Sequence, residues 1–238
     1  MRNRIEPPVC VALDVRELGQ ALAIVDQLNG SVPVFKVGLE LFAAQGPIVI
    51  EEIRSRGADV FLDLKVNDIP NQAAGAVRAA QDIGVGYLTV HSNAGRATVE
   101  AAVTAADDTT LKVLVVSVLT SLDEPALQEI GVARPLSTQV QAMADLAAAL
   151  GAPGLVLSAQ EVGAVRRAHE DLFLVTPGIR PLASAAGDQS RVGTPAAAVS
   201  AGADLLVIGR PITAADDPAA ALRAILDEIA EATTEART

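Results

Sequence analysis

The chain of 238 residues is predicted to be an α/β protein, a (β/α)8 barrel forming a single domain over residues 1–238. Three observations carry that prediction. Eight short runs rich in Val, Ile and Leu recur along the chain, and Ala-rich amphipathic stretches of helical length lie between them. Such alternation implies a parallel sheet, and eight repeats in this length fit a closed barrel better than an open, doubly wound one. The first strand-to-helix turn, VRELGQ (15–20), also lacks the G-x-G-x-x-G with which an open sheet usually holds a nucleotide. Periodicity alone leaves the open sheet standing as the rival.

In chain order the strand runs are VCVALDV (9–15), PVFKVG (33–38), DVFLDLKV (59–66), YLTVH (87–91), KVLVVSVLT (112–120), GLVLSA (154–159), LFLVTPG (172–178) and DLLVIGR (204–210). Helical stretches include ELGQALAIVDQL, PIVIEEIRSRG, NQAAGAVRAAQDIG and TQVQAMADLAAALG, several of them closing on Gly. Thr194-Pro195 reads as an N-cap followed by proline at the first helical position. Two connections are long, 121–136 and 179–193, and the second, rich in small residues and opening off a strand end, reads as a mobile lid.

Half the residues are apolar, enough for one sizeable core. No segment approaches the roughly 18–20 uninterrupted apolar residues of a membrane span. Glu6, Pro7, Pro8 and Asp14 break up any signal-peptide apolar region, and Cys10 is the only cysteine. A cytoplasmic enzyme without disulfide or Cys-based metal cluster is therefore expected. A net charge of −11 and 2% aromatic residues argue against nucleic acid as partner. Only three lysines stand against fifteen arginines, and two of the three fall inside apolar strand runs.

The run FLDLKVNDIP (61–70) is the most unusual of these. Strand alternation puts Leu62, Leu64 and Val66 on one face and Phe61, Asp63 and Lys65 on the other. Burying such a pair costs several kcal/mol per ion in desolvation, so it must be well satisfied or used. The other strand ends add Asp14, Lys36, His91, Thr120, Ser158, Pro177-Gly178 and Gly209-Arg210 at the rim where barrels of this kind place their active sites. Asp14 or Lys36 alone could be a structural ion pair; the four charges together point to a site. His91 reads as a satisfied rim histidine, His169 as a solvated one, and Ser158 has no His partner to activate it. Gly209-Arg210, with Arg180 or Gln189 from the lid, fits a phosphate. No His, Cys or carboxylate set has metal-ligand spacing.

From VALDV through FKVGLELF, FLDLKVNDIPN, VLTS, VTPGIRP, GDQ and VIGRPIT, nearly the whole chain resembles the orotidine 5'-phosphate decarboxylase family. The D-x-K-x-x-D run alone is shared with phosphosugar enzymes of the same suprafamily, whereas its combination with TPGIR, GDQ and IGR is more specific. Asn67, Gln72 and Ser92-Asn93-Ala94 depart from the bacterial pattern, but no charged member of the site is replaced.

The resemblance implies conversion of orotidine 5'-monophosphate (OMP) to UMP and CO2 with no cofactor and no metal. It implies that Lys65 protonates C6 of the pyrimidine and that Asp63 sits near the substrate carboxylate. Asp14 and Lys36 would hold the ribose and orient the charged network, with Thr120 on the pyrimidine. Arg180, Gln189, Gly209 and Arg210 would make the phosphate and lid contacts. Asp68 would reach a neighbouring site across the interface of a homodimer. Two rivals remain: a metal-dependent phosphosugar decarboxylase or aldolase, and a non-catalytic nucleotide-binding barrel.

Overall fold

The computed structural model describes residues 5–181, 191 and 193–235. Its eight parallel strands are β1 (Val9–Leu13), β2 (Val34–Gly38), β3 (Asp59–Val66), β4 (Tyr87–His91), β5 (Lys112–Val116), β6 (Gly154–Val156), β7 (Phe173–Thr176) and β8 (Leu205–Ile208). They pair in sequence order, and β8 pairs back onto β1 to close the barrel. Outside lie α1 (Leu18–Leu28), α2 (Leu39–Gln45), α3 (Ile48–Ser55), α4 (Pro70–Asp82), α5 (Arg96–Ala105), α6 (Glu124–Glu129), α7 (Leu136–Ala149), α8 (Val162–Ala168), α9 (Pro195–Ala201), α10 (Arg210–Thr213) and α11 (Pro218–Glu235). Among the described residues no helix is long and apolar enough to cross a membrane.

Both faces of each strand are covered, which is why the strands read as continuous apolar runs. Alternation sorts their side chains into two shells. Val9, Val11 and Leu13 of β1 pack outward with the helices. Cys10 and Ala12 point inward, where they meet Val34, Phe61, Leu114, Val175 and Val207. At the N-terminal end of the interior, the Tyr87 and Phe173 rings stack with centroids 6.1 Å apart, and Lys112 Nζ lies 5.6 Å from each.

Pairing register then builds the opposite rim. Ala12 stands beside Lys36, and Lys36 beside Phe61, so these three share one interior level. Gly38 stands beside Asp63 one step higher, and Asp14 follows the last residue of β1 at that same height. Lys36 thus rises from below between the carboxylates of Asp14 and Asp63.

Several sequence expectations need adjustment. The strands stop before the polar ends of the predicted runs, so Asp14, Thr120, Ser158 and Pro177 belong to the loops just beyond them, and Arg210 opens α10. The 121–136 connection is not all loop: it holds α6, capped by Asp123, whose carboxylate accepts from the Ala126 N–H at 3.0 Å. Six residues are too few for an amphipathic period to show in sequence. His169 is not simply solvated; it is partly buried, with Nε2 2.7 Å from Asp145 Oδ1. The predicted Thr194 cap is present, its hydroxyl accepting from the Ala197 N–H at 3.2 Å.

Candidate active site

A cavity of about 330 Å³ opens at the C-terminal ends of the strands. Asp14, Lys36, Asp63, Lys65, Thr120, Arg180, Gly209 and Arg210 all line it, although their positions span almost two hundred residues of sequence. The inward strand residues Ala12, Phe61, Val116 and Val207 form its apolar floor.

Carboxylates and ammoniums alternate along one wall. Lys36 Nζ donates to Asp14 Oδ1 at 3.1 Å and lies 3.8 Å from Asp63 Oδ2, and that same oxygen accepts from Lys65 Nζ at 2.8 Å. Burial by itself would pull the Lys36 pKa down, but Asp63 and Asp14 outweigh it and leave the value raised, so Lys36 keeps its charge. Gly38 makes room for this ammonium: a Cβ there would sit 2.9 Å from Lys36 Nζ. Lys65 is the more open member, its side chain 33% exposed against 13% for Asp63. Below them burial pushes the Cys10 thiol well up despite nearby Lys36, so it offers no thiolate nucleophile.

β3 is irregular where it carries this pair. Leu62 pairs with Leu88 and Val66 with Val90, so Asp63, Leu64 and Lys65 stand opposite Thr89 alone. Lys65 takes up the excess with a left-handed φ of 51°. Its N–H donates to Thr89 Oγ1 at 2.8 Å, and that hydroxyl donates to Asp63 Oδ1 at 2.9 Å. Sequence reasoning passed over Thr89. Alternation in YLTVH does turn it inward with Tyr87 and His91, but its partners depend on a bulge that no local pattern announces.

His91 Nδ1 accepts from the Asn93 N–H at 3.2 Å and so caps the short 3₁₀ turn Ser92–Ala94. Burial, and then the charge on Lys65, hold its pKa below the ordinary value, consistent with a neutral structural ring. Ser158 is fully buried, and its hydroxyl accepts from the Gln160 N–H.

Asp68 stands apart from this cavity. It is exposed, does not line the wall, and its Oδ1 accepts from the Ile69 N–H at 2.7 Å. The predicted lid, 179–193, is joined at its neck, where Ile179 and Gly193 form a parallel bridge and the Arg180 N–H donates to Gly193 O at 2.9 Å. Gln189 lies outside the described residues. Arg191, also missed in sequence, is buried and ties the neck to the barrel: it donates to Glu161 Oε1 at 2.8 Å and to the carbonyls of Val118 and Leu119, just before Thr120. Among the described residues no three His, Cys, Asp or Glu side chains are grouped to hold a metal ion.

Fold and site together define a (β/α)8-barrel enzyme whose cavity wall carries paired carboxylates and ammoniums. The sequence profile of the orotidine 5'-phosphate decarboxylase / HUMPS family matches residues 7–225, and the chain belongs to that family. It is 50% identical to the orotidine 5'-phosphate decarboxylase of Halorhodospira halophila over 230 residues, covering 95% of this chain and 97% of the relative. It is 46% identical to the enzyme of that name from Paramagnetospirillum magneticum over 230 residues, covering 93% and 98% of the two chains. Among solved structures it resembles orotidine 5'-phosphate decarboxylase from Lactobacillus acidophilus, with a TM-score of 0.82, 35% identity and coverage of 95% and 99%.

Proposed function

We propose that this chain, acting as one barrel domain in the cytoplasm, decarboxylates OMP to UMP and CO2. The observation that carries the reading is the Asp14, Lys36, Asp63, Lys65 chain on the cavity wall, which ends in the more accessible ammonium. Breaking the bond between C6 and the carboxylate releases CO2 and leaves an electron pair on C6 in the ring plane, where the ring cannot delocalise it well. An ammonium held at C6 stabilises that pair electrostatically and then supplies its proton, leaving a neutral amine that solvent reprotonates. Asp63 aims the Lys65 ammonium, and Lys36 holds Asp63 in turn. Asp63 also lies where the substrate carboxylate would, but stabilisation of the transition state is the stronger argument.

In the same reading Asp14 and Lys36 also hold the ribose, and Thr120 faces the pyrimidine. Arg180, Gly209 and Arg210 receive the phosphate, together with Gln189. Asp68 serves the neighbouring site of a homodimer, and two observations support this: it is exposed and does not line its own cavity, and two large apolar residues that follow the adjacent strands β2 and β3, Leu39 and Ile69, remain 59% and 63% exposed.

The test is the ultraviolet absorbance of OMP on incubation with purified protein and a chelator. Chelator-resistant loss of the orotate absorbance with UMP as product is expected. Turnover of a phosphosugar only after metal is restored would instead establish the metal-dependent rival. Binding of UMP without turnover would leave a nucleotide-binding barrel.

A further inference from the structure

We infer that Thr89 is a positioning residue for catalysis, its single hydroxyl setting both the backbone of Lys65 and the orientation of Asp63. The inference rests on the reading of Lys65 as proton donor.

A lysine at φ 51° is in a conformation that costs an L-residue roughly 1–3 kcal/mol unless its surroundings impose it. The bulge that creates this conformation also removes the regular ladder partner of the Lys65 N–H, because three residues of β3 face one of β4. Thr89 supplies the missing acceptor from its side chain at 2.8 Å. A hydroxyl has one proton to give, and Thr89 gives it to Asp63 Oδ1 at 2.9 Å. Asp63 Oδ2 is thereby turned toward Lys65 Nζ at 2.8 Å and Lys36 Nζ at 3.8 Å. One side-chain oxygen thus fixes the main chain of the donor and the counter-ion of its ammonium at once.

Thr89 is fully buried and is not part of the cavity wall, so it touches the reacting atoms only through this pair. Valine has nearly the same shape without the hydroxyl. With it, the Lys65 N–H and one lone pair of Asp63 lose their partners in a largely buried place, and the ammonium is no longer fixed over the reacting carbon.

The experiment compares decarboxylation of OMP by wild type, Thr89→Val and Thr89→Ser. Thr89→Val is expected to lose about 10- to 100-fold in kcat with KM altered less than about threefold, since positioning and not binding is lost. Thr89→Ser keeps the hydroxyl and is expected within about threefold of wild type in both constants. A packing role would give the reverse order, with Val near wild type and Ser impaired, and would overturn the inference. So would a rise in KM at unchanged kcat. If Thr89→Val does not fold, Thr89→Ser against Thr89→Ala asks the same question, and equal activities overturn it. An inert wild type overturns the decarboxylase reading and this inference with it, whereas an active wild type matched by Thr89→Val overturns the inference alone.

Discussion

Lys36 shows how a barrel interior retains an ammonium. Its side chain is 11% exposed, and desolvation opposes the charge, yet the carboxylates of Asp63 in β3 and of Asp14 just past β1 restore it. His91 is the opposite case, a titratable ring with no acid close enough to offset burial and with the Lys65 charge against it. Because the folded state lowers its pKa, the unfolded chain binds the proton more readily. His91 therefore favours the fold fully above its ordinary value of 6.5, and that contribution is lost as pH falls below it. Protonation would also end the acceptor role of Nδ1 toward the Asn93 N–H. NMR titration of the His91 ring should give a pKa below 6.5, and His91→Gln should lose less urea stability than wild type between pH 7 and pH 5. A His91 titrating at or above the ordinary value would contradict this. At this scale the sequence was informative about charge and poor about partners. Asp14, Lys36, Asp63 and Lys65 stood out because ionised residues interrupt apolar runs. Thr89, Arg191 and the buried Arg166, which pairs with Asp204 and donates to the Gly202 carbonyl, did not. Threonine is ordinary in a strand and arginine ordinary in a helix or loop.

Among the elements, β2 and β6 each contain a glycine whose missing side chain makes space, but for different neighbours. At Gly38 the obstacle to a Cβ is the far end of Lys36, at 2.9 Å, with Asp14 Oδ1 at 3.7 Å. At Gly154 it is the Phe173 backbone carbonyl at 2.6 Å and Leu114 Cδ2 at 2.7 Å. A lysine tip can swing aside and a strand backbone cannot, so the two substitutions should separate function from stability. Gly38→Ala is expected to change unfolding free energy by roughly 0.5 kcal/mol or less while lowering kcat/KM for OMP about tenfold, through displacement of the Lys36 ammonium. Gly154→Ala is expected to cost about 1–3 kcal/mol in urea unfolding, because the β6 and β7 strands must shift to admit the methyl. The opposite assignment of effects would show that the rim tolerates a moved Lys36. Element order and strand positions were legible because hydrophobic period and length are local properties. The bulge in β3 and the six-residue α6 were not, since the first is a matter of register against β4 and the second is shorter than two helical turns.

For the molecule as a whole, the question raised by Asp68 is whether one barrel is sufficient. The D-x-K-x-x-D spacing brings Asp63 to Lys65, but the last acid follows the end of β3 and faces solvent. With a net charge of −11, two such chains repel at long range, so association would have to draw on apolar contact such as that offered by Leu39 and Ile69. If Asp68 completes the neighbouring site, Lys65→Ala and Asp68→Ala protomers damage different halves of each active site. Each variant alone should be nearly inactive, Lys65→Ala by roughly a hundredfold or more for loss of a positioned proton donor. Mixing them through an unfolding and refolding step should produce hybrids in which one site combines both defects while the other has intact Lys65 and intact Asp68. Activity should then recover toward about a quarter of wild type at equal mixing, since random pairing makes half the dimers hybrid and each hybrid has one good site of two. Recovery that falls away on dilution, in step with dimer dissociation measured by sedimentation, would place Asp68 in the partner's site. Two inactive variants that stay inactive when mixed, while still forming dimers, would require Asp68 to act within its own chain.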